Sequence, residues 1–268
     1  MTETSTLPDY PRGITFEQVW AGMMEDRDRQ LESIKPEFVV SIPTAEEEVN
    51  IVLLELSRLK SMEARNYWIM LPNTSLFIEF ENKLRADRIL TNADRIAIKN
   101  HFINDVYDPT DYQPSFDTLC RVAERANKEI EKFIMLENSW GFNVPENYQV
   151  RMTLYGPCGR AFPDTGEMLI RINKKNTWVF DPLTTILHEA IHIGKSNIIT
   201  QRYNVPHWTN ERLVDLIGVK LIPDYIIELP VNLAELPIDI IFENPDVLDR
   251  LPYYVEEFMR EHSKSVEK

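Results

Sequence analysis

Residues 185–192 have the sequence TILHEAIH, which places His188 and His192 four positions apart with Glu189 between them. In an α-helix four residues nearly complete one turn, so side chains with this spacing lie on one face. Two imidazoles on one face can bind a single metal ion, and Glu189 projects beside that ion, about 100° further round the helix. A carboxylate at this position can take a proton from zinc-bound water. The segment therefore predicts a zinc site of the hydrolytic type.

The residues around this motif favour a buried helix. Asp181 is a suitable N-cap, Pro182 suits the first helical position, and Gly194 is expected to end the helix. Most of the positions between them are apolar. Because buried polar groups without partners are costly, the presence of two histidines and a glutamate in such a helix needs a reason.

A catalytic zinc ion needs a third protein ligand. Glu211 is the preferred candidate, since it lies in the segment WTNERLVDLIG, residues 208–218, whose apolar residues indicate a second buried helix. Asp215 follows one turn later on the same face and can accept a hydrogen bond from the free ring nitrogen of a ligand histidine. His207 is the rival for the third ligand position because imidazole also binds zinc well, although it lies beside Pro206 at the expected start of this helix.

The combined pattern resembles the gluzincin class of zinc metallopeptidases, in which a glutamate on a second helix is the third ligand. An aspartate one turn after that glutamate is a feature of the thermolysin-like members. The eighteen-residue spacer before the glutamate is similar to that of the zinc aminopeptidases in the class. The resemblance implies that His188, His192 and Glu211 bind Zn2+, that Glu189 is the general base, and that Asp215 orients a ligand. It covers about thirty of the 268 residues.

The function implied by this resemblance is that of a zinc-dependent metallopeptidase, which hydrolyses a peptide or protein substrate with zinc-activated water. Two alternatives stay open: a catalytically silent zincin-fold protein with a binding or regulatory role, and a helical scaffold with a chance motif. The intact Glu189 favours the enzyme, because a silent protein has no chemical need for that carboxylate. Peptide hydrolysis also requires a donor to the oxyanion, and Tyr203, His207 and Tyr225 are candidates because they flank the Glu211 helix.

The composition excludes several other classes of protein. A net charge of −14 without a basic block argues against nucleic acid as a partner. The longest apolar runs are far shorter than a membrane span, and the first residues lack the pattern of a secretory signal. Two cysteines are too few for a disulfide framework. We therefore expect a cytoplasmic protein with neither a nucleic-acid nor a membrane partner.

The order of the predicted elements indicates an α+β fold that is mostly helical. Residues 1–112 predict a helical N-terminal region, and residues 113–268 a zincin-like metallopeptidase domain with a small antiparallel or mixed sheet and two active-site helices. One continuous domain is the alternative. Helices are predicted at 15–34, from Thr44, at 76–90, from Thr91, at 115–138 and at 246–262. Strands are predicted at 148–154, 167–173 and 177–180, with a short extended piece at 37–42.

One predicted strand has a functional meaning in such enzymes, where an edge strand binds the substrate backbone by strand addition. Ile170–Asn173 is the candidate for this strand, and an ordinary edge strand is the alternative. Residues 156–166, which precede it, contain several turn-forming residues and are expected to form a turn.

Overall fold

The computed structural model describes residues 36–266, apart from 66, 179, 224 and 226–236, and it shows an α+β fold dominated by helices. The strands are β1 (Glu37–Ser41), β2 (Asn147–Thr153), β3 (Gly159–Phe162) and β4 (Glu167–Arg171). The α-helices are α1 (Ala45–Ala64), α2 (Ser75–Arg85), α3 (Asn92–His101), α4 (Gln113–Asn127), α5 (Ile130–Trp140), α6 (Pro182–Lys195), α7 (His207–Leu221) and α8 (Leu251–Val266). The expected mostly helical α+β class is confirmed.

Pro36–Lys268 form one compact unit, and this unit includes both sides of the boundary predicted between residues 112 and 113. The helix predicted at 15–34 lies outside the described residues. None of the helices in the described part of the chain combines the length and the apolar character that a membrane span requires.

The sheet is small and mixed, with the strand order β1-β2-β4-β3. Strands β1, β2 and β4 run parallel, so that Val39 pairs with Gln149 and Met152 with Ile170. Strand β3 runs antiparallel to β4. The strands predicted at 148–154 and 167–173 are confirmed with ends shifted by one or two residues.

Two expectations about the sheet are wrong. Thr177, Trp178 and Phe180 are not in a strand, whereas the segment expected to be a turn contains β3. All four residues of β3 are partly buried, so the strand lacks the alternation of buried and exposed side chains that would have marked it in the sequence. Strand β4, which contains Ile170, pairs with β2 on one side and with β3 on the other. It is therefore not an edge strand, and β3 takes that place.

Two of the helix starts follow local sequence signals closely. Thr44 with Glu47 and Thr91 with Asp94 both form capping boxes, in which each side chain binds the backbone N–H of the other residue. The single helix predicted at 115–138 is wrong, because the chain breaks between α4 and α5. Asn127, the last residue of α4, accepts a hydrogen bond through its side-chain oxygen from the backbone N–H of Phe38 in β1. This long-range contact ties the end of α4 to the sheet.

Helices cover the sheet and place the zinc motif against it. Helix α6 contacts β3 and β4, and α4 contacts β1 and also α6. Helix α1 is tied to the sheet by Glu48, whose Oε1 accepts hydrogen bonds from Tyr112, Thr153 and the backbone of Leu154. Helix α7 then packs against α6. The motif helix thus lies between the sheet and α7.

Candidate metal centre

Helix α6 begins as its sequence predicts. The Asp181 carboxylate accepts a hydrogen bond from the backbone N–H of Thr184 at 2.9 Å, and Pro182 occupies the first helical position. The predicted stop at Gly194 is wrong, since α6 runs to Lys195 and continues as a π-helical turn over Ser196–Gln201. The reason for a glycine at this position is space. A Cβ on Gly194 would lie 1.9 Å from Cζ of the fully buried Phe142 ring.

Helices α6 and α7 bring three potential metal ligands together. His188 Nε2 and His192 Nε2 are 3.1 Å apart, and each lies 3.3 Å from Glu211 Oε2. Within the described residues, this is the one group of three such side chains whose ligand atoms lie close enough to hold a metal ion. His207, the rival third ligand, stands aside from this group, with Nδ1 3.6 Å from the second Glu211 oxygen, Oε1.

The spacing of the three atoms fits a tetrahedral zinc ion. Ligands about 2.0–2.1 Å from zinc in tetrahedral directions are about 3.3 Å apart from one another. The observed separations of 3.1 to 3.3 Å match that value, and two imidazoles with one carboxylate are a known donor set for a catalytic zinc ion. The residues present therefore fit zinc with one position left open for water or substrate.

Asp215 and Tyr225 contact the ring of His188 at Nδ1, the nitrogen that does not face the other two ligands. Asp215 is fully buried, and its Oδ1 lies 3.3 Å from His188 Nδ1. The Tyr225 hydroxyl lies 2.9 Å from the same nitrogen and donates to Asp215 Oδ1 at 3.2 Å. Tyr225 reaches this position because Gly218 of α7 has no side chain, and a Cβ there would lie 2.5 Å from the ring. Such contacts fix the orientation of an imidazole whose other nitrogen binds metal.

His192 has a support that the sequence reasoning missed. Its Nδ1 lies 3.3 Å from the side-chain nitrogen of Asn210, whose oxygen accepts hydrogen bonds from Thr200 and from Lys195 Nζ. Lys195 is fully buried, and this burial lowers the pKa of its ammonium group to about 7. The signal that could have revealed it is a lysine within an otherwise apolar helix, one turn after His192.

Glu189 lies beside the three ligands and is almost completely buried, with 7% of its surface exposed. It packs against Gly159, the first residue of β3, where a Cβ would lie 2.3 Å from Glu189 Oε1. The motif helix and the edge strand therefore touch at the carboxylate itself. This contact requires glycine at residue 159.

The pKa values of the two buried ligand histidines are shifted in opposite directions. Burial lowers the pKa of His188, but hydrogen bonds to Asp215 and Glu211 outweigh this effect and raise that pKa to about 10. Burial lowers the pKa of His192 to about 4. The pKa of Glu211 lies well below 4.5, because the two histidines outweigh the opposing effect of its burial. Without metal, His188 therefore carries a proton at neutral pH and faces an ionised Glu211.

The three aromatic candidates for oxyanion stabilisation lie at different distances from the metal centre and have different partners. Tyr203 lies away from the centre, where its hydroxyl donates to Glu256 at 3.2 Å. The Tyr225 hydroxyl contacts the ring of His188, as described above. His207 lies beside Glu211, and its Nε2 is 2.8 Å from the hydroxyl of Tyr67.

Tyr67 is a residue of the site that the sequence reasoning missed. Its ring stacks on Trp208 at a centroid distance of 5.4 Å, and burial together with the nearby Glu211 and Glu189 carboxylates raises its pKa well above 10. No local pattern marks this tyrosine, because it follows α1 and lies 140 residues before its partner His207.

A cavity of about 540 Å³, termed the metal cavity, opens onto the centre. It is lined by the three ligands and Glu189, by Tyr67 and Trp208, and by Gly159 and Arg160 of β3. A substrate in this cavity would therefore lie between the metal ligands and the edge strand.

Comparison with models of protein families, with curated proteins and with solved structures finds no match for this chain.

Proposed function

We propose that the chain is a zinc-dependent metallopeptidase of the gluzincin type. The observation that carries this proposal is the set of three ligand atoms, 3.1 to 3.3 Å apart, with Glu189 beside them on the wall of one cavity. A zinc ion held there would polarise the carbonyl of the scissile bond and acidify a water molecule.

Glu189 is the proposed general base. Its carboxylate takes a proton from the attacking water and returns it to the leaving amine. Gly159 leaves room for this carboxylate, since a Cβ at residue 159 would lie 2.3 Å from Glu189 Oε1. His188, His192 and Glu211 would hold the zinc ion, and Asp215 would keep the ring of His188 oriented.

Tyr67 and His207 are the proposed donors to the oxyanion of the transition state. They contact each other at 2.8 Å, His207 Nδ1 lies 3.6 Å from Glu211 Oε1, and Tyr67 lines the metal cavity. Hydrogen-bond donors placed where negative charge develops are a principal source of rate enhancement. His207 is one of the three candidates that the sequence offers for this role, and we add Tyr67 because its hydroxyl contacts His207.

Strand β3 is the proposed binding edge for the substrate backbone. Among the described strands, only β4 pairs with it, so its other edge is available for a further strand. Gly159, Arg160 and Ala161 of β3 also line the metal cavity. An extended peptide that pairs with this edge would place a peptide bond near Glu189.

The test of the proposed function is a comparison of the unmodified protein with Glu189→Gln. Elemental analysis is expected to find one zinc ion per chain in both proteins. The unmodified protein should cleave members of a peptide library, and Glu189→Gln should lose at least about a hundredfold in rate. Glu79→Gln, which changes an exposed glutamate on α2, is the matched control and should be fully active.

Each alternative has its own signature in this experiment. Loss of zinc from Glu189→Gln would show that Glu189 is a ligand and not the base. Bound zinc without cleavage by the unmodified protein would favour the silent binding or regulatory protein. Absence of any bound transition metal after growth with zinc would leave a chance motif.

A further inference from the structure

A second cavity, also of about 540 Å³, adjoins the metal cavity and is termed the side cavity. The two cavities share part of their lining, including Trp68, Arg171 and Phe180. Trp178 extends the aromatic surface of the side cavity. Arg171 therefore lies where the two cavities adjoin.

In the metal cavity, the carboxylates and the arginines form two separate groups. All of its carboxylates belong to the metal centre, namely Glu189, Glu211 and Asp215. The rest of its lining contributes three arginines, Arg58, Arg160 and Arg171. The charge of Arg160 is balanced by the buried Glu55, with Nη1 2.6 Å from Oε1. Among the described residues, Arg58 and Arg171 have no carboxylate within 4.0 Å.

The side cavity shows the same pattern. Its other charged residues are already paired, because Asp105 binds His101 at 2.8 Å and Lys174 binds Asp111. Arg171 is therefore the cation without an ionic partner, within the described residues, that faces both cavities. This is notable in a chain with a net charge of −14, in which carboxylates outnumber cationic side chains.

Arg171 is nevertheless held in a defined position. Its Nη1 donates to the carbonyl oxygen of Gly156 at 3.0 Å, and its Nη2 donates to Cys158 Sγ at 3.0 Å. The guanidinium carbon lies 5.6 Å from the centre of the Trp68 ring. Among the described residues, two of its five N–H groups thus have a protein acceptor, which leaves donors for a ligand. A guanidinium that is held in place but has no counter-ion matches the planar geometry of a carboxylate.

We propose that Arg171, with the Trp68 ring against it, binds a carboxylate group of the substrate at the junction of the two cavities. The inference rests on the proposed function, because it assigns a substrate class to the same site. The carboxylate belongs either to an acidic side chain of the peptide or to its C-terminus, and both have the same chemistry toward a guanidinium.

Three blocked probes with a common phenylalanine separate the sources of the carboxylate. Acetyl-phenylalanine carries a terminal carboxylate, acetyl-glutamyl-phenylalaninamide a side-chain carboxylate, and acetyl-glutaminyl-phenylalaninamide none. Their affinities are measured by calorimetry on the full zinc-loaded chain carrying Glu189→Gln, which prevents turnover. At least one acidic probe should bind about tenfold or more tightly than the neutral probe, and the preference should weaken as salt is added. The tighter of the two acidic probes identifies the source.

Variants of the binding residues test the assignment. Arg171→Gln should abolish the preference for the acidic probes, whereas Arg95→Gln, at an exposed arginine of α3 that lines neither cavity, should leave it intact. Trp68→Leu should weaken the preference several-fold. Because 70% of the surface of Trp68 is exposed, this variant places little demand on folding and serves if Arg171→Gln fails to fold.

Equal affinities for all three probes would overturn the inference. A preference that survives in Arg171→Gln would also overturn it, since the carboxylate would then bind the metal or another cation. Binding is read without turnover, so the outcome is separate from that of the proposed function. An active peptidase with equal probe affinities would refute the carboxylate site alone, and an inactive protein that prefers acidic probes would refute the peptidase alone.

Discussion

Tyr67 and Tyr203 differ in where their hydroxyl groups lie, and this difference allows a test with a matched control. The Tyr67 hydroxyl contacts His207 at the metal centre, whereas the Tyr203 hydroxyl donates to Glu256 away from it. If Tyr67 stabilises the oxyanion, Tyr67→Phe should lower kcat about tenfold or more with little change in KM, since the lost interaction is made mainly in the transition state. Tyr203→Phe should leave both constants unchanged. Steady-state kinetics on a cleaved library peptide measure both, and equal activity of the two variants would remove Tyr67 from the mechanism.

The hydrogen bond between Asp215 and His188 predicts how zinc affinity depends on pH. Zinc binds only the deprotonated imidazole, and the pKa of His188 is raised to about 10 by Asp215 and Glu211, which outweigh burial. Below that pH the proton must leave before zinc binds, so affinity should rise with pH, by up to about tenfold per unit. Asp215→Asn removes the negative charge, lowers the pKa of His188 and should flatten this dependence.

Competitive zinc titration between pH 6 and pH 9 measures the slope. At pH 9, where the proton on His188 competes least with zinc, Asp215→Asn should also weaken zinc binding by roughly tenfold to a hundredfold, because Asp215 orients the ligand ring. Asp117→Asn, at an exposed position of α4, is the control and should keep the slope of the unmodified protein. The same slope in Asp215→Asn would show that Asp215 does not set the protonation of His188.

At the scale of the elements, the close contact between α6 and the loop after α5 depends on Gly194. The Phe142 ring lies where a Cβ of residue 194 would be, and the backbone N–H of Asn143 donates to the Gly194 carbonyl oxygen at 2.8 Å. Gly194→Ala should therefore destabilise the fold by about 1–3 kcal/mol, the usual cost of overpacking a core. Urea denaturation measures this change in the free energy of unfolding.

A double-mutant cycle with Phe142→Leu identifies the cause. Each single substitution should destabilise the protein, but the double variant should be more stable than the sum of the two effects predicts, because leucine makes room for the added methyl group. Strict additivity would show that Gly194 is needed for a reason other than the Phe142 ring.

At the scale of the whole molecule, a metal that binds only the folded chain stabilises that chain. Free zinc at a hundred times its Kd adds about 2.7 kcal/mol to the free energy of unfolding. For a domain of this size, such a gain corresponds to a rise in Tm of roughly 5–10 °C. Thermal unfolding with added zinc or chelator measures this rise.

Two variants assign the rise in Tm to the proposed ligands. Glu211→Ala should abolish it, whereas His207→Ala should retain it, since His207 lies beside the ligand set and not in it. The opposite result, with zinc stabilising Glu211→Ala but not His207→Ala, would make His207 the third ligand.

The sequence by itself determined the features that depend on neighbours a few residues apart. The capping boxes at Thr44 and Thr91 and the start of α6 at Asp181 follow from contacts over three positions. The placement of His188 and His192 on one face of α6 follows from the helical period, which is a local property of the backbone.

Only the tertiary structure decided the features that join distant parts of the chain. The end of α4 at Asn127 is tied to the sheet by a hydrogen bond from Phe38 in β1, 89 residues away. The hydroxyl beside His207 belongs to Tyr67, 140 residues away in the sequence. Tyr203, which is close to His207 in the sequence, donates to Glu256 instead. Strand β3 became the edge through the order in which the strands pair. These outcomes depend on which surfaces pack together in the folded chain. That packing cannot be predicted from the pattern of residues that are close together in the sequence.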